Sequence, residues 1–276
     1  MKHAIFITLM MFAILSAYSL AAPIHIIEPY NATVSNGGSV YLGKVGPGQS
    51  FYLTIQSYTE NASGTRIIKG WNKLIVSNLP SEWVASNSTL YGTYLSVLLA
   101  PSPNTLPSIY SFNLTAINIG NYSKIGNTTF TAYVNVTPNV FYINATPSVS
   151  SSPPGVPVDL NVTINNFGLS DSPFYISVIG LPAWNEGSKE VIALHGKTGT
   201  FTYPIYENEP GNYKAKLLVS SEASPMINKT INLTLSVKST LKGDINALQY
   251  GSVIFPIMYE PVYAILYILL SLFQMF

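Results

Sequence analysis

Val158-Asp159-Leu160-Asn161-Val162-Thr163-Ile164-Asn165 places an apolar residue at every second position and a polar one between. A period of two belongs to a β-strand with one face in a core and the other in water; a helix repeats every 3.6 residues. Ile231, Leu233, Leu235 and Val237 alternate in the same way with Asn232, Thr234 and Ser236. Phe112, Leu114 and Ala116 repeat the pattern, as do Phe130, Ala132, Val134 and Val136. Such alternation predicts antiparallel sheets with one solvated face. Gly, Pro, Asn and Ser clusters punctuate these runs at the short spacing of sandwich turns, and His195-Gly196-Lys197-Thr198-Gly199 reads as a hairpin loop. Residues 25–240 contain no convincing amphipathic helix. The predicted class is all-β.

The pattern also repeats. Pro47-Gly48 before Phe51-Tyr-Leu-Thr-Ile returns as Pro154-Gly155 before Val158-Asp-Leu-Asn-Val, 107 residues on. Leu79-Pro80 with Trp83 returns as Leu181-Pro182 with Trp184, an offset of 102. Pro107-Ser-Ile-Tyr110 returns as Pro210-Gly-Asn-Tyr213, offset 103, and Thr131–Val136 as Leu233–Lys238, offset 102. Four landmarks in order at nearly one spacing predict a duplicated module of about 100 residues, the size of an immunoglobulin-like sandwich. The first module is placed at residues 22–138 and the second at 139–240. An insertion over Asn61 to Asn72 belongs to the first copy alone.

Pro154-Gly155, Asn166-Phe-Gly168, Leu181-Pro182-Ala-Trp184 and Pro210-Gly211-Asn-Tyr213 together resemble the NEW3 type of immunoglobulin-like module. The first copy departs from it, with Ser108 where a Gly would stand before Tyr110 and no Asn-x-Gly turn after its early strand. The resemblance covers roughly residues 40 to 238. It implies a β-sandwich of the kind found in exported prokaryotic proteins, often archaeal surface proteins, in a family of accessory and spacer modules without catalytic residues of its own.

Both ends are apolar. Met1-Lys2-His3 precedes an uncharged run from Ala4, and Ser19-Leu20-Ala21 offers the small residues of a cleavage site. Residues 1–21 are therefore expected to be a signal peptide cut between Ala21 and Ala22; a signal anchor over residues 4–24 is the alternative. From Ile245 to Phe276 the only charge is Glu260. Residues 250–276 are expected to anchor the chain in membrane lipid from outside through a hydrophobic helix that starts either at Pro261, which suits a first helical position, or near Ser252. The alternative is an apolar tail packed on a partner subunit.

Charge is scarce. There are 13 Lys+Arg and 12 Asp+Glu, 9% of 276 residues, and no Cys. So few basic groups exclude a nucleic-acid partner, and the missing Cys excludes disulfides, thiolate catalysis and cysteine-held metals. Eleven of 23 Asn lie in Asn-x-Ser/Thr sequons: Asn31, Asn61, Asn87, Asn113, Asn121, Asn127, Asn135, Asn144, Asn161, Asn228 and Asn232. Strand phase sets Asn113, Asn135, Asn161 and Asn232 on the polar face, open to covalently attached glycans; the alternative is a polar surface that keeps a low-charge chain soluble. A surface built of hydroxyls, amides and sugar suits acid surroundings, where carboxylate salt bridges fail.

Nothing in the sequence assembles a catalytic constellation. His3, His25 and His195 have no second ligand at a metal spacing, Glu207 and Glu209 sit in a loop, and there is no Gly-x-Ser-x-Gly elbow. Val45-Gly-Pro-Gly48 reads as a turn. Trp83 and Trp184 occupy equivalent places and are expected in the two cores, whereas Trp71, unmatched and beside Arg66 and Lys69, is a candidate contact surface. No cofactor or metal is expected. The predicted role is a non-catalytic stalk, scaffold or adhesion module on the outer face of the membrane. A filament or surface-layer subunit and a carbohydrate- or protein-binding accessory subunit of a membrane complex are the alternatives.

Overall fold

A computed structural model of the chain describes residues 22–60, 66–67, 70–120, 126–181, 187–205 and 207–239. The signal segment and the 250–276 helix lie outside these residues, as do Trp184 and the sequons Asn61 and Asn121. Every regular element among the described residues is a β-strand, and none of them forms a helix long and apolar enough to cross a membrane.

The first sandwich packs two sheets. One contains β1 (Ile24–Glu28), β2 (Ala32–Val34), β4 (Phe51–Gln56), β8 (Val84–Ala85), β9 (Thr89–Tyr91) and β10 (Tyr94–Ala100), in the order β2-β1-β4-β10-β8 with β9 also on β10. The other is β3 (Ser39–Val45), β12 (Thr128–Val136), β11 (Ser108–Ile117) and β7 (Lys73–Ser77). β3 runs parallel to β12, and the register slips between Tyr133 and Val134, which gives β3 one extra residue before Gly43. At the insertion, β5 (Thr59–Glu60) pairs with β6 (Arg66–Ile67) in a separate two-stranded ribbon.

The second sandwich is three strands on four: β13 (Phe141–Pro147), β14 (Val158–Asn166) and β17 (Lys197–Ile205) against β16 (Ser188–Ala193), β15 (Ser172–Ile179), β18 (Gly211–Ser221) and β19 (Asn228–Val237). Both units are immunoglobulin-like sandwiches. The alternating residues do what their period requires: Val158, Leu160, Val162 and Ile164 are buried, as are Phe112, Leu114, Ala116, Phe130, Ala132, Val134 and Val136. Two separate cores result. One draws on Ile24 to Val136, with Phe51, Trp71, Trp83, Phe112 and Phe130 as its large side chains; the other draws on Val140 to Val237, with Phe141 and Phe174 in tilted contact at 4.6 Å. Each fully buried Phe or Leu contributes about 1.5–3 kcal/mol.

The repeated landmarks hold equivalent corners. Tyr110 donates its hydroxyl to the Leu106 carbonyl at 3.0 Å and Tyr213 to the Glu209 carbonyl at 2.8 Å. Each bond reaches four residues back at the entry to a long strand, β11 or β18, the tyrosine corner of immunoglobulin-like folds. Gly48 and Gly155 share a left-handed backbone, φ +73° and +70°. Their N–H groups bond the Ser102 and Glu207 carbonyls, in the loops that lead to those tyrosines. The expected hairpin turns at Leu194–Gly196, with Gly196 at φ +64° and Lys197 N–H on the Leu194 carbonyl.

Candidate functional site

Among the described residues no group of three or more His, Asp and Glu could hold a metal ion. His195 does have a carboxylate partner, 24 residues away. Its backbone N–H donates to Asp171 Oδ1 at 2.6 Å, and its ring Nδ1 lies 2.7 Å from the same oxygen. Burial pushes the Asp171 carboxyl up, but the two bonds from His195 outweigh it and the net position is below the ordinary value. Both side chains are about half exposed. The pair ties the β16–β17 turn to the loop before β15. His25 bonds Thr33 Oγ1 at 2.9 Å.

Glu207 and Glu209 belong to the corner rather than to a cleft. Their backbone carbonyls receive Gly155 N–H and the Tyr213 hydroxyl. The Glu207 residue is 1% exposed; its carboxyl is raised, first by burial and second by Glu209. Trp71 is corrected by the structure. It is 1% exposed, and its indole N–H donates to the Gly126 carbonyl at 3.1 Å, so it fills the first core and offers no contact surface. Trp83 is likewise buried, tilted against Tyr110 at 5.6 Å and Phe112 at 6.1 Å.

The described sequons occupy solvated positions. Asn31, Asn87, Asn127, Asn144, Asn161, Asn228 and Asn232 are exposed; Asn113 and Asn135 are half-buried on outer faces. On β13 and β14 two of them meet in reciprocal register: Asn144 stands opposite Thr163, and Thr146 opposite Asn161. On β11 and β12 the Thr131 hydroxyl donates to Asn113 Oδ1 at 3.0 Å, and Thr115 and Thr129 meet at 3.0 Å. At these positions the outer strands pair amides with hydroxyls.

What the sequence did not reveal is the joint between the modules. The Asn166-Phe-Gly168 turn is locked from within: buried Asn166 donates to the Ser170 and Ala193 carbonyls, each at 2.8 Å, and accepts Gly168 N–H at 3.0 Å. That lock holds Phe167 and Leu169 out toward the first module. Leu169 N–H donates to the Lys44 carbonyl at 2.8 Å. Its side chain covers Gly43, where an added Cβ would sit 2.9 Å from Leu169 Cδ2. The Lys44 ammonium stands 5.3 Å from the Phe167 ring centre, a cation–π contact. Deeper in, Gly46 N–H donates to Gln49 Oε1 at 2.9 Å and Gln49 Nε2 to Ser172 Oγ at 2.7 Å; Gln49 and Ser172 are each 2% exposed. Ser224 donates to the Pro103 carbonyl at 2.8 Å. A Cβ on Gly46 would overlap Ile227, and one on Gly48 would overlap the Ala223 carbonyl. Gly43-Lys-Val-Gly46-Pro-Gly48 is thus a seam onto which the second module closes without room for a methyl group.

A small cleft of about 180 Å³ opens beside this seam, lined by Glu28, Tyr52, Leu169, Asp171 and His195 among others. No protein family and no curated protein matches the chain. Solved structures do. The adhesin InvE of Yersinia pseudotuberculosis aligns at 13% identity over 70% of this chain and 56% of its own, with a TM-score of 0.28. A chimeric titin Z1Z2 aligns at 13% identity over 80% and 99%, TM-score 0.32. The fibronectin(III)-like modules of Clostridium thermocellum CbhA align at 12% identity over 78% and 94%, TM-score 0.26. This chain spans a little over half of the adhesin chain. At these identities nothing about partners or activity passes from them to this chain.

Proposed function

We propose that this chain is an exported, non-catalytic surface protein whose two sandwiches act as a rigid stalk or scaffold, built from modules of the NEW3 type seen in archaeal surface proteins. Residues 1–21 direct export, residues 250–276 hold the chain on the outer face of the membrane, and the exposed sequons carry glycans. The observation that carries this reading is the seam. A spacer has to pass position and force from one module to the next, and a joint of buried hydrogen bonds and methyl-tight contacts does so, where a bare flexible linker would not. The low charge and the amide and hydroxyl pairs on β11–β12 and β13–β14 accord with a glycosylated, acid-tolerant exterior.

The intact mass of the native protein after membrane fractionation tests the proposal. The expected result is a membrane-bound chain that lacks residues 1–21, keeps its C-terminal segment and carries added sugar mass. Unmodified polypeptide in the cytosol with its first residues in place overturns it.

A further inference from the structure

One outer face of the first module carries a row of hydroxyls that ends on a carboxylate. On the sheet β2-β1-β4-β10-β8, four positions stand in a row across four strands: Thr89 opposite Ser96, Ser96 opposite Thr54, and Thr54 opposite Glu28. The row is fixed by its own hydrogen bonds, with Thr54 Oγ1 donating to Glu28 Oε2 at 2.6 Å and lying 3.0 Å from Ser96 Oγ. Three strand spacings make it about 14 Å long. Tyrosines flank it on both sides. Tyr91 and Tyr94 pair one row away on one side, and Tyr52, opposite Leu98, lies one row away on the other. They are 82%, 41% and 57% exposed, and the two tyrosine rows are four residues, roughly 13 Å, apart along the strands.

Charge narrows what such a face can hold. β1, β2, β4, β8, β9 and β10 carry no Lys, Arg or Asp, and their one carboxylate, Glu28, already accepts the Thr54 hydroxyl. An anionic ligand finds no cation there, and a cationic peptide finds no free acidic patch. A strip of hydroxyl and carboxylate groups between aromatic rings that are apolar on the face and wet at the tip suits a ligand with apolar ring faces and hydroxyl edges. We propose that this face binds neutral polysaccharide, with Tyr52, Tyr91 and Tyr94 stacking on sugar rings and Glu28, Ser96 and Thr89 bonding their hydroxyls, while Thr54, itself buried, holds Glu28 and Ser96 in line. The inference stands independently of how the chain is anchored.

Native gel electrophoresis of the full-length chain, cast with soluble starch, mannan or hydroxyethyl cellulose, tests this. At least one polymer is expected to retard the protein. Tyr52→Ala/Tyr94→Ala weakens that retardation at least tenfold, and Tyr142→Ala, at a 65% exposed tyrosine on the second module, leaves it intact. No retardation in any of the three gels overturns the proposal, as does undiminished retardation of the double variant or an equal loss in Tyr142→Ala. Should the double variant lose its fold, Tyr91→Ala reports on the same face: a several-fold loss is expected, and no change overturns the proposal. Two other occupants are read out together. Binding that emerges only in Asn87→Gln assigns the face to the chain's own glycan, and self-association abolished by the tyrosine variants assigns it to a second copy. Either result overturns the proposal.

Discussion

Tyr110 and Tyr213 bind the same kind of carbonyl at 3.0 and 2.8 Å, and a hydroxyl is all that separates each from Phe. Tyr110→Phe and Tyr213→Phe are each expected to cost about 0.5–1.5 kcal/mol in urea unfolding, the net worth of one such bond. Asn166 is a heavier case. Its side chain is fully buried and serves two carbonyls and one N–H, so Asn166→Ala strands three buried groups and is expected to cost about 3 kcal/mol or more. Glu207 works in the opposite direction. Its carboxyl is raised above the ordinary 4.5 by burial and by Glu209, so the folded state holds the proton more tightly than the unfolded one. Its contribution to stability therefore grows as pH falls through the raised value toward 4.5. Glu207→Gln is expected to be more stable than the parent at pH 7 and to lose that gain on acidification, as unfolding midpoints at the two pH values will show.

Among the elements, the turn after β3 does more than reverse the chain. Gly48 has φ +73° and faces the Ala223 carbonyl, backbone that cannot swing aside. Gly92 has a similar φ of +60°, but nothing lies within 4 Å of where its Cβ would stand. Gly92→Ala is expected to cost only about 1–2 kcal/mol of backbone strain. Gly48→Ala carries that strain and also pushes the second module away. Small-angle scattering is expected to report a larger radius of gyration for Gly48→Ala and an unchanged one for Gly92→Ala. Equal scattering from both variants would remove the seam as the source of rigidity. The reciprocal sequons on β13 and β14 show element geometry acting on chemistry: register alone brings each acceptor Asn opposite the other's Thr.

For the whole molecule, acid response follows from how few charges are paired. The Asp171 carboxyl lies below its ordinary value of 3.8, so what it contributes is intact above that pH and is lost as pH falls through the lowered value. Glu207 moves the other way over a higher range. Together they predict an unfolding midpoint that is level or rising from pH 7 to about 4.5 and that falls only below about 3.8. A sharp drop between pH 5 and 4 would contradict this balance. With 9% charged residues, raising salt from 0.05 to 0.5 M is expected to leave the midpoint nearly unchanged, since screening acts on charges that are scarce.

The alternating runs at Val158–Asn165, Phe112–Ala116 and Phe130–Val136 by themselves determined that the chain is all-β and which side chains enter a core, because a period of two leaves each residue one face to occupy. The recurrence of Pro-Gly, Leu-Pro and Tyr at nearly constant spacing likewise announced two copies of one sandwich, since each copy needs the same corners. Trp71 marks the limit. Beside basic residues it reads as exposed, yet its ring packs into the first core and its indole N–H reaches the Gly126 carbonyl, which local polarity does not encode. The tertiary structure alone decided the seam, the Asp171–His195 pair and the hydroxyl row from Thr89 to Glu28. Each joins residues far apart in sequence, and strand order and register, not spacing along the chain, determine which of them meet.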